Sequence, residues 1–459
     1  MTSLTAGRIS NANLGWAAAA VILGAGAGFV VGTQGLVGIG YLLVALGLVG
    51  WAYAVVRSPI SSLAVAVAAL AFDVTGRIIQ EPIPFTIYQV ALLIALVSYG
   101  LAVMFRRTPL PKVTFVDLGM FMLVLAGAWS LPFSAAPSAT VVGTIRLLFV
   151  WAFVLLIENV PQSRRDMRML LGVLALVSAA HALLGVAQAA LPSLGIGNVH
   201  VQGPPTDLVR RPSGFFDDPN YYAGSLSTGL IAAAALTIYA RRWRTAIFWA
   251  GVALACGAGI VVTFSRTAWV AVAVGLVVLA ITAPPYLRKW LIGAGIACVI
   301  ALFLYAPGQI IDRLTSSADV DGDRSVATRV YMAESMVEMV RDNPVWGTGL
   351  AAFDRVYPYY RKTGADRTIA RPHQIPMGVV AETGIAGLLA IIVLVIALGW
   401  TYLAPGKRTL WMGESAALAG LASMGVQSLL QYYLYFEYLW LFVGLSVVAV
   451  RLGRTQEEL

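Results

Sequence analysis

Residues 375–403 read IPMGVVAETGIAGLLAIIVLVIALGWTYL, a run whose one charged side chain is Glu382. An α-helix needs about 20 apolar residues to cross roughly 30 Å of hydrocarbon, so this run is long enough to span a bilayer. Comparable blocks fall at 15–32, 35–56, 59–73, 85–105, 114–133, 138–160, 168–191, 222–240, 244–262, 267–283, 290–307, 412–432 and 436–450. Together with the quoted run they make fourteen candidates, the third of them short. Apolar residues fill 59% of the 459 positions and charged residues 12%, about half the charge of an ordinary soluble domain. Lipid offers no partner to an unpaired backbone group, which makes helices the default. The expectation is an all-α polytopic membrane protein with about 12–14 transmembrane helices.

Charge orders these blocks across the bilayer. Basic residues follow every second block: Arg57; Arg106, Arg107 and Lys112; Arg164, Arg165 and Arg168; Arg241, Arg242 and Arg244; Arg288 and Lys289; Lys407 and Arg408; Arg451 and Arg454. The intervening short loops hold only Arg77, Arg210, Arg211 and Arg266. Lys and Arg accumulate on the cytoplasmic side, so both termini are expected in the cytoplasm of a multi-pass protein in the cytoplasmic (inner) membrane. The net charge of +9 is then a sorting signal, and no nucleic-acid partner is called for.

Three regions follow from this map. Residues 1–307 form a membrane domain holding the first eleven candidate spans. Residues 308–374 form a large extracytoplasmic loop subdomain, balanced in acidic and basic residues. Residues 375–459 hold the last spans and a short cytoplasmic tail. Within the loop, Ser325 to Asp342 reads as an amphipathic helix with Val330, Met332, Met336, Val337 and Met339 on its apolar positions. Asp323 or Ser325 can cap its start, and Asn343-Pro344 ends it. Cys256 and Cys298 lie inside apolar blocks and read as packing residues. The polar stretch from Met1 to Asn13 does not resemble a cleavable signal, so the first span is expected to remain as an anchor.

Three segments on the expected outer side carry polar residues in unusual places. One is Arg210-Arg211-Pro212-Ser213-Gly214-Phe215-Phe216, running on to Asp217-Asp218-Pro219-Asn220. Another is the tight hairpin Thr263-Phe264-Ser265-Arg266-Thr267, and the third is Arg371-Pro372-His373-Gln374, followed by Glu382-Thr383-Gly384. Each alone reads as well as a polar loop, a snorkelling arginine or a surface histidine. Their shared side is what suggests a common site. Guanidinium groups bind phosphate through planar, charge-assisted hydrogen bonds, and a neutral imidazole accepts a proton near pH 7. Arg146, well inside an apolar block, must face the bundle interior or an outer pocket; a structural pairing with Asp117 or Asp73 is an equal alternative. Asp319, Asp321 and Asp323 lack calcium-loop spacing, and His181, His200 and His373 lack zinc spacing. No metal and no cofactor are called for.

The Arg-Pro-Ser-Gly-Phe-Phe stretch ending in Pro219-Asn220, the Phe264-Ser265-Arg266 hairpin and Arg329–Asp342 followed by Asn343-Pro344-Val345-Trp346-Gly347-Thr348-Gly349 resemble the bacterial O-antigen ligase and polymerase superfamily. His373 with Glu382-Thr383-Gly384-Ile385-Ala386-Gly387-Leu388 is similar to its histidine segment. The resemblance covers roughly 205–395; Gln374 stands where Asn is common and Tyr331 where Trp is frequent. It implies a multi-span, GT-C-like glycosyltransferase that moves a glycan from undecaprenyl pyrophosphate to a glycolipid or glycan acceptor. It also implies that Arg211 and Arg266, assisted by Arg146 and Arg210, hold the donor pyrophosphate, and that His373 helps activate the acceptor hydroxyl. Asn220, Ser265, Arg329 and Glu382 are possible supporting residues. Ligase, repeat-unit polymerase and pilin ligase stay open as activities. A secondary transporter is the rival from another class, although no internal repeat supports it.

Overall fold

A computed structural model describes residues 58–72, 77–79, 85–191, 198–202, 209–285, 324–363, 365, 371–403 and 410–454. The described residues are almost entirely helical, with two short hairpins. In chain order the helices are α1 (Pro59–Ala69), α2 (Ile87–Met104), α3 (Phe115–Ser130), α4 (Pro137–Asn159), α5 (Arg164–Ala190), α6 (Pro219–Ile238), α7 (Trp243–Val262) and α8 (Arg266–Thr282). There follow α9 (Arg324–Asp342), α10 (Phe353–Tyr360), α11 (Ile375–Leu403), α12 (Met412–Ser428) and α13 (Glu437–Arg454). Strands β1 (Arg77–Ile79) and β2 (Phe85–Thr86) form one antiparallel hairpin, β3 (Asn198–Gln202) and β4 (Val209–Gly214) the other.

Eleven of the fourteen apolar blocks coincide with described helices; the blocks at 15–32, 35–56 and 290–307 lie outside the described residues. Seven helices, α2 to α7 and α11, are long and apolar enough to cross a membrane. Large apolar side chains such as Val97, Leu254, Val395 and Ile396 are exposed on them, as a lipid-facing surface requires. The protein is an all-α polytopic membrane protein.

Helix starts are written locally. Thr86, Thr114 and Ser163 each cap a helix and receive the reciprocal side chain of Gln89, Asp117 and Asp166 three residues on. Around the core, α3 packs along α4 and α11; α5, α6 and α7 form a mutually packed group; α12 packs against α8, α6 and α13.

Two ends of the bundle are separately knit. At one, Lys112 and Asn159 exchange backbone–side-chain hydrogen bonds, Arg451 donates to Pro161 O at 2.7 Å, and the Arg164 guanidinium lies 4.7 Å over the Trp411 ring. This basic end gathers the described Lys and Arg clusters. The other end gathers the β3–β4 hairpin, the α7–α8 turn, the segment before α11 and the α12–α13 connection. It is called the site end below.

The loop helix α9 runs Arg324–Asp342, and Met332, Met336 and Met339 pack on Phe353, Val356, Tyr357 and Ala381. Val330 and Val337, expected on the same apolar face, are more exposed, because the fully buried stripe that meets α10 and α11 is the narrow one of Met332, Met336 and Met339. Ser325 lies inside the helix rather than capping it. Asp323, like Asp319 and Asp321, is outside the described residues.

The segment after α9 is a clasp built on a break in α11. Gly384 adopts φ 63°, ψ −148°, a conformation other residues avoid. The carbonyls freed there are taken by the clasp: Thr348 N donates to Ala381 O at 3.0 Å and Gly349 N to Glu382 O at 2.9 Å, while Ile385 N reaches Pro344 O at 3.0 Å. A Cβ on Gly384 would sit 2.3 Å from Val345 O, and one on Gly347 2.4 Å from the Glu382 backbone. The clasp is also tied to the α3–α4 turn, through Ala135 N to Thr348 O and Leu350 N to Ser130 Oγ. Trp346 stacks there between Trp129 and Phe133.

Candidate active site

Strand β4 carries Arg211 opposite His200 of β3. The strand is held down at its end by α5: Phe215 N donates to His181 Nε2 at 2.9 Å and Gly214 N to Gln188 Oε1 at 3.1 Å. Gly214, at φ 58°, has no room for a Cβ, which would come 2.2 Å from His181 Nε2. His181 is therefore a buried anchor of the arginine segment.

So anchored, Arg211 is buried, and its guanidinium reaches two other elements. Nε donates to Thr263 O at 2.7 Å and Nη2 to Asn220 Oδ1 at 3.1 Å. The same Asn220 oxygen accepts the Ser265 hydroxyl at 2.8 Å. Thr263 and Ser265 belong to the α7–α8 turn, where Phe264 takes a left-handed backbone at φ 52°. Arg266 opens α8 one residue later and is partly exposed. The first two sequence segments thus meet through direct bonds. Burying a guanidinium among oxygen acceptors keeps its charge available while fixing its geometry. Arg210 does not join them; it is exposed, opposite Val201, on the other face of the strand.

The third segment arrives from α11. His373 lies two residues before that helix and half-buried. Burial holds its proton affinity below the ordinary histidine value, the Arg329 guanidinium on α9 lowers it further, and Asp218 with a Gln431 hydrogen bond partly offsets both. Asp218 also caps α6, accepting Asn220 N at 2.6 Å, which links the histidine to the arginine cluster. His373 Nδ1 is a buried atom with no hydrogen-bond partner among the described residues. A neutral imidazole with an open nitrogen is what a general base requires.

Behind these groups stands a tyrosine layer that sequence reasoning missed. Tyr433 donates to Asn220 O at 3.1 Å, Tyr221 to Tyr432 O at 2.7 Å, and Tyr432 to Glu382 Oε2 at 2.5 Å. Arg146 lies with its guanidinium 4.5 Å over the Tyr435 ring, and the charge of Arg371 acts on Tyr221. The alternative pairing of Arg146 with Asp117 is not made. Asp117 sits at the basic end, where Trp151 and Thr114 hydrogen-bond it; Asp73 is outside the described residues. Glu382 is buried, and it accepts Phe353 N at 3.3 Å as well as Tyr432. It holds the clasp and the tyrosine layer together. The signal for that layer is the run Gln431-Tyr432-Tyr433-Leu434-Tyr435, polar-tipped aromatics between two apolar blocks.

Residues 251–392 match the family model described as O-antigen ligase. The match includes Ser265, Arg266, Arg329, His373 and Glu382, and begins after Arg146, Arg210, Arg211 and Asn220. That stretch is similar to the O-antigen ligase family, which supports the resemblance to the O-antigen ligase and polymerase superfamily. A search of curated proteins finds no match.

Proposed function

We infer that this O-antigen ligase domain works as a membrane glycosyltransferase, moving a glycan from undecaprenyl pyrophosphate to an acceptor hydroxyl. The observation that carries the reading is the convergence of Arg211, Asn220 and Ser265 with His373 at one end of the bundle. Anion-binding charge and a depressed-affinity imidazole stand there together.

The chemistry is one displacement. The acceptor oxygen attacks the anomeric carbon and forms the new glycosidic bond as the bond from that carbon to the pyrophosphate oxygen breaks. The acceptor proton passes to His373, and polyprenyl pyrophosphate leaves with its added charge held by Arg211 and Arg266. Attack opposite the leaving group inverts configuration, and the step as drawn needs no metal. General-base assistance contributes typically 10²–10⁴-fold, and fixed charge on the leaving phosphate is often the larger effect. Arg146 and Arg371, gathered on the tyrosines, extend the positive surface.

Under the positive-inside rule the basic clusters support a cytoplasmic location for the opposite end and both termini, which leaves the site to face the periplasm of an inner membrane in this reading. A ligase using a lipid A-core acceptor is the preferred assignment, with the repeat-unit polymerase as alternative, since donor and leaving group are common to both. Arg266→Ala and His373→Ala are expected to abolish transfer while the protein still inserts and accumulates normally. Normal transfer by both variants would remove the site assignment.

A further inference from the structure

The basic end holds a feature that transfer chemistry does not use. Helices α3, α4, α11 and α13 leave between them a cavity of about 460 Å³. One wall is apolar, with Phe115, Trp400 and Val447; Lys112, Arg451 and Arg454 line it as well, with Glu158 as the carboxylate. Volume and mixed lining fall in the range of small-molecule sites.

We propose that this cavity binds the headgroup of an anionic phospholipid, with Lys112 and Arg454 holding the phosphate and the acyl chains lying along Phe115 and Trp400. The frame is rigid where charge must be placed. Lys112 N donates to Asn159 Oδ1 at 2.7 Å and Asn159 Nδ2 back to Lys112 O at 3.2 Å, so the basic loop is pinned to the end of α4. Arg454 donates to Thr401 O, crossing from α13 to α11. Glu158 is buried, accepts the Thr114 hydroxyl at 3.1 Å and is the near electrostatic partner of Arg451. The exposed side chains of Lys112 and Arg454 are the charges presented outward.

The apolar wall decides the kind of ligand. Trp400 is 68% exposed and Phe115 66% exposed, beside the cations, at the level where a helix leaves the hydrocarbon. A free phosphate would gain nothing from that wall. A zwitterionic lipid would bring an ammonium group to a cationic mouth. An anionic phosphodiester with acyl chains satisfies both walls, as in basic pockets between helices on the cytoplasmic side of membrane proteins. This site is independent of the glycan-transfer reading, being at the opposite end.

The test uses the full chain, purified in detergent and titrated with phosphatidylglycerol or phosphatidylcholine, with bound lipid counted by native mass spectrometry. Wild-type protein is expected to prefer phosphatidylglycerol, and binding to weaken as salt is raised. Lys112→Gln with Arg454→Gln should lose about five-fold in phosphatidylglycerol affinity per cation removed, while Arg454→Lys keeps most of it. Equal uptake of the two lipids by wild type, or undiminished phosphatidylglycerol binding in the double variant, overturns the proposal. Should the double variant fail to purify as a single species, the salt dependence of the wild type decides, and salt-independent binding overturns it.

Discussion

Among single residues, the surroundings of His373 decide whether it can act as a base. Its proton affinity is set by burial and by Arg329, a positioning residue on a different helix. Protonation removes the base, so the rate should fall as pH drops through the histidine pKa. Because that pKa is depressed, the acid limb should lie below the ordinary value of about 6.5. Arg329→Gln removes a neighbouring cation, so the limb should move to higher pH, with activity recovering at alkaline pH. A pH–rate profile of kcat/KM checks this, and an unmoved limb in the variant would remove Arg329 from the histidine's environment. Arg211 stood out in the sequence because basic charge on an expected outer face is anomalous, and His373 through the resemblance of its segment to the family's histidine segment. Tyr221 and Tyr432 to Tyr435 were not: tyrosines beside an apolar block look like an interfacial belt, and only the fold shows their hydroxyls holding Asn220 and Glu382.

Among elements, the broken helix α11 and the clasp upon it are the decisive unit. In the sequence Glu382-Thr383-Gly384 drew notice as the polar continuation of the histidine segment and Asn343-Pro344 as a helix end, while Val345 to Gly349 entered only through family resemblance. Their role needs the third dimension, since backbone groups 33 to 41 residues apart satisfy one another. Gly384→Ala would force a side chain into a glycine conformation and against Val345 O, at a cost of about 1–3 kcal/mol from the backbone alone. Gly399→Ala, where a Cβ meets nothing within 4 Å, is the control in the same helix. Thermal unfolding in detergent should show a lowered midpoint for the first and little change for the second; equal midpoints would mean the clasp does not depend on the break. Helix α9 shows the limit of periodicity. The methionine stripe was visible in sequence, but Val330 and Val337 lie at its margin, more exposed than the methionines that α10 and α11 cover.

For the whole molecule, the division into a basic end and a site end is what sequence conveyed best, since block length and charge alternation are carried by many residues at once. Arg146 shows why the rest escaped: a lone charge in an apolar block has several possible partners, and helix packing chose Tyr435 over Asp117. The proposed orientation is testable by cysteine labelling in cells. A cysteine at exposed Arg107 should react only with membrane-permeant reagents, and one at exposed Arg371 also with impermeant ones. The reverse pattern would invert the topology and put the site in the cytoplasm. The central claim is tested most directly by reconstitution: purified protein, undecaprenyl-pyrophosphate oligosaccharide, candidate acceptors and EDTA, with mass spectrometry of the lipid products. Glycan is expected on lipid A-core, or lengthened glycan on the carrier for a polymerase, with none formed by His373→Ala. No transfer to any acceptor, alongside solute uptake when the protein is placed in liposomes, would contradict it.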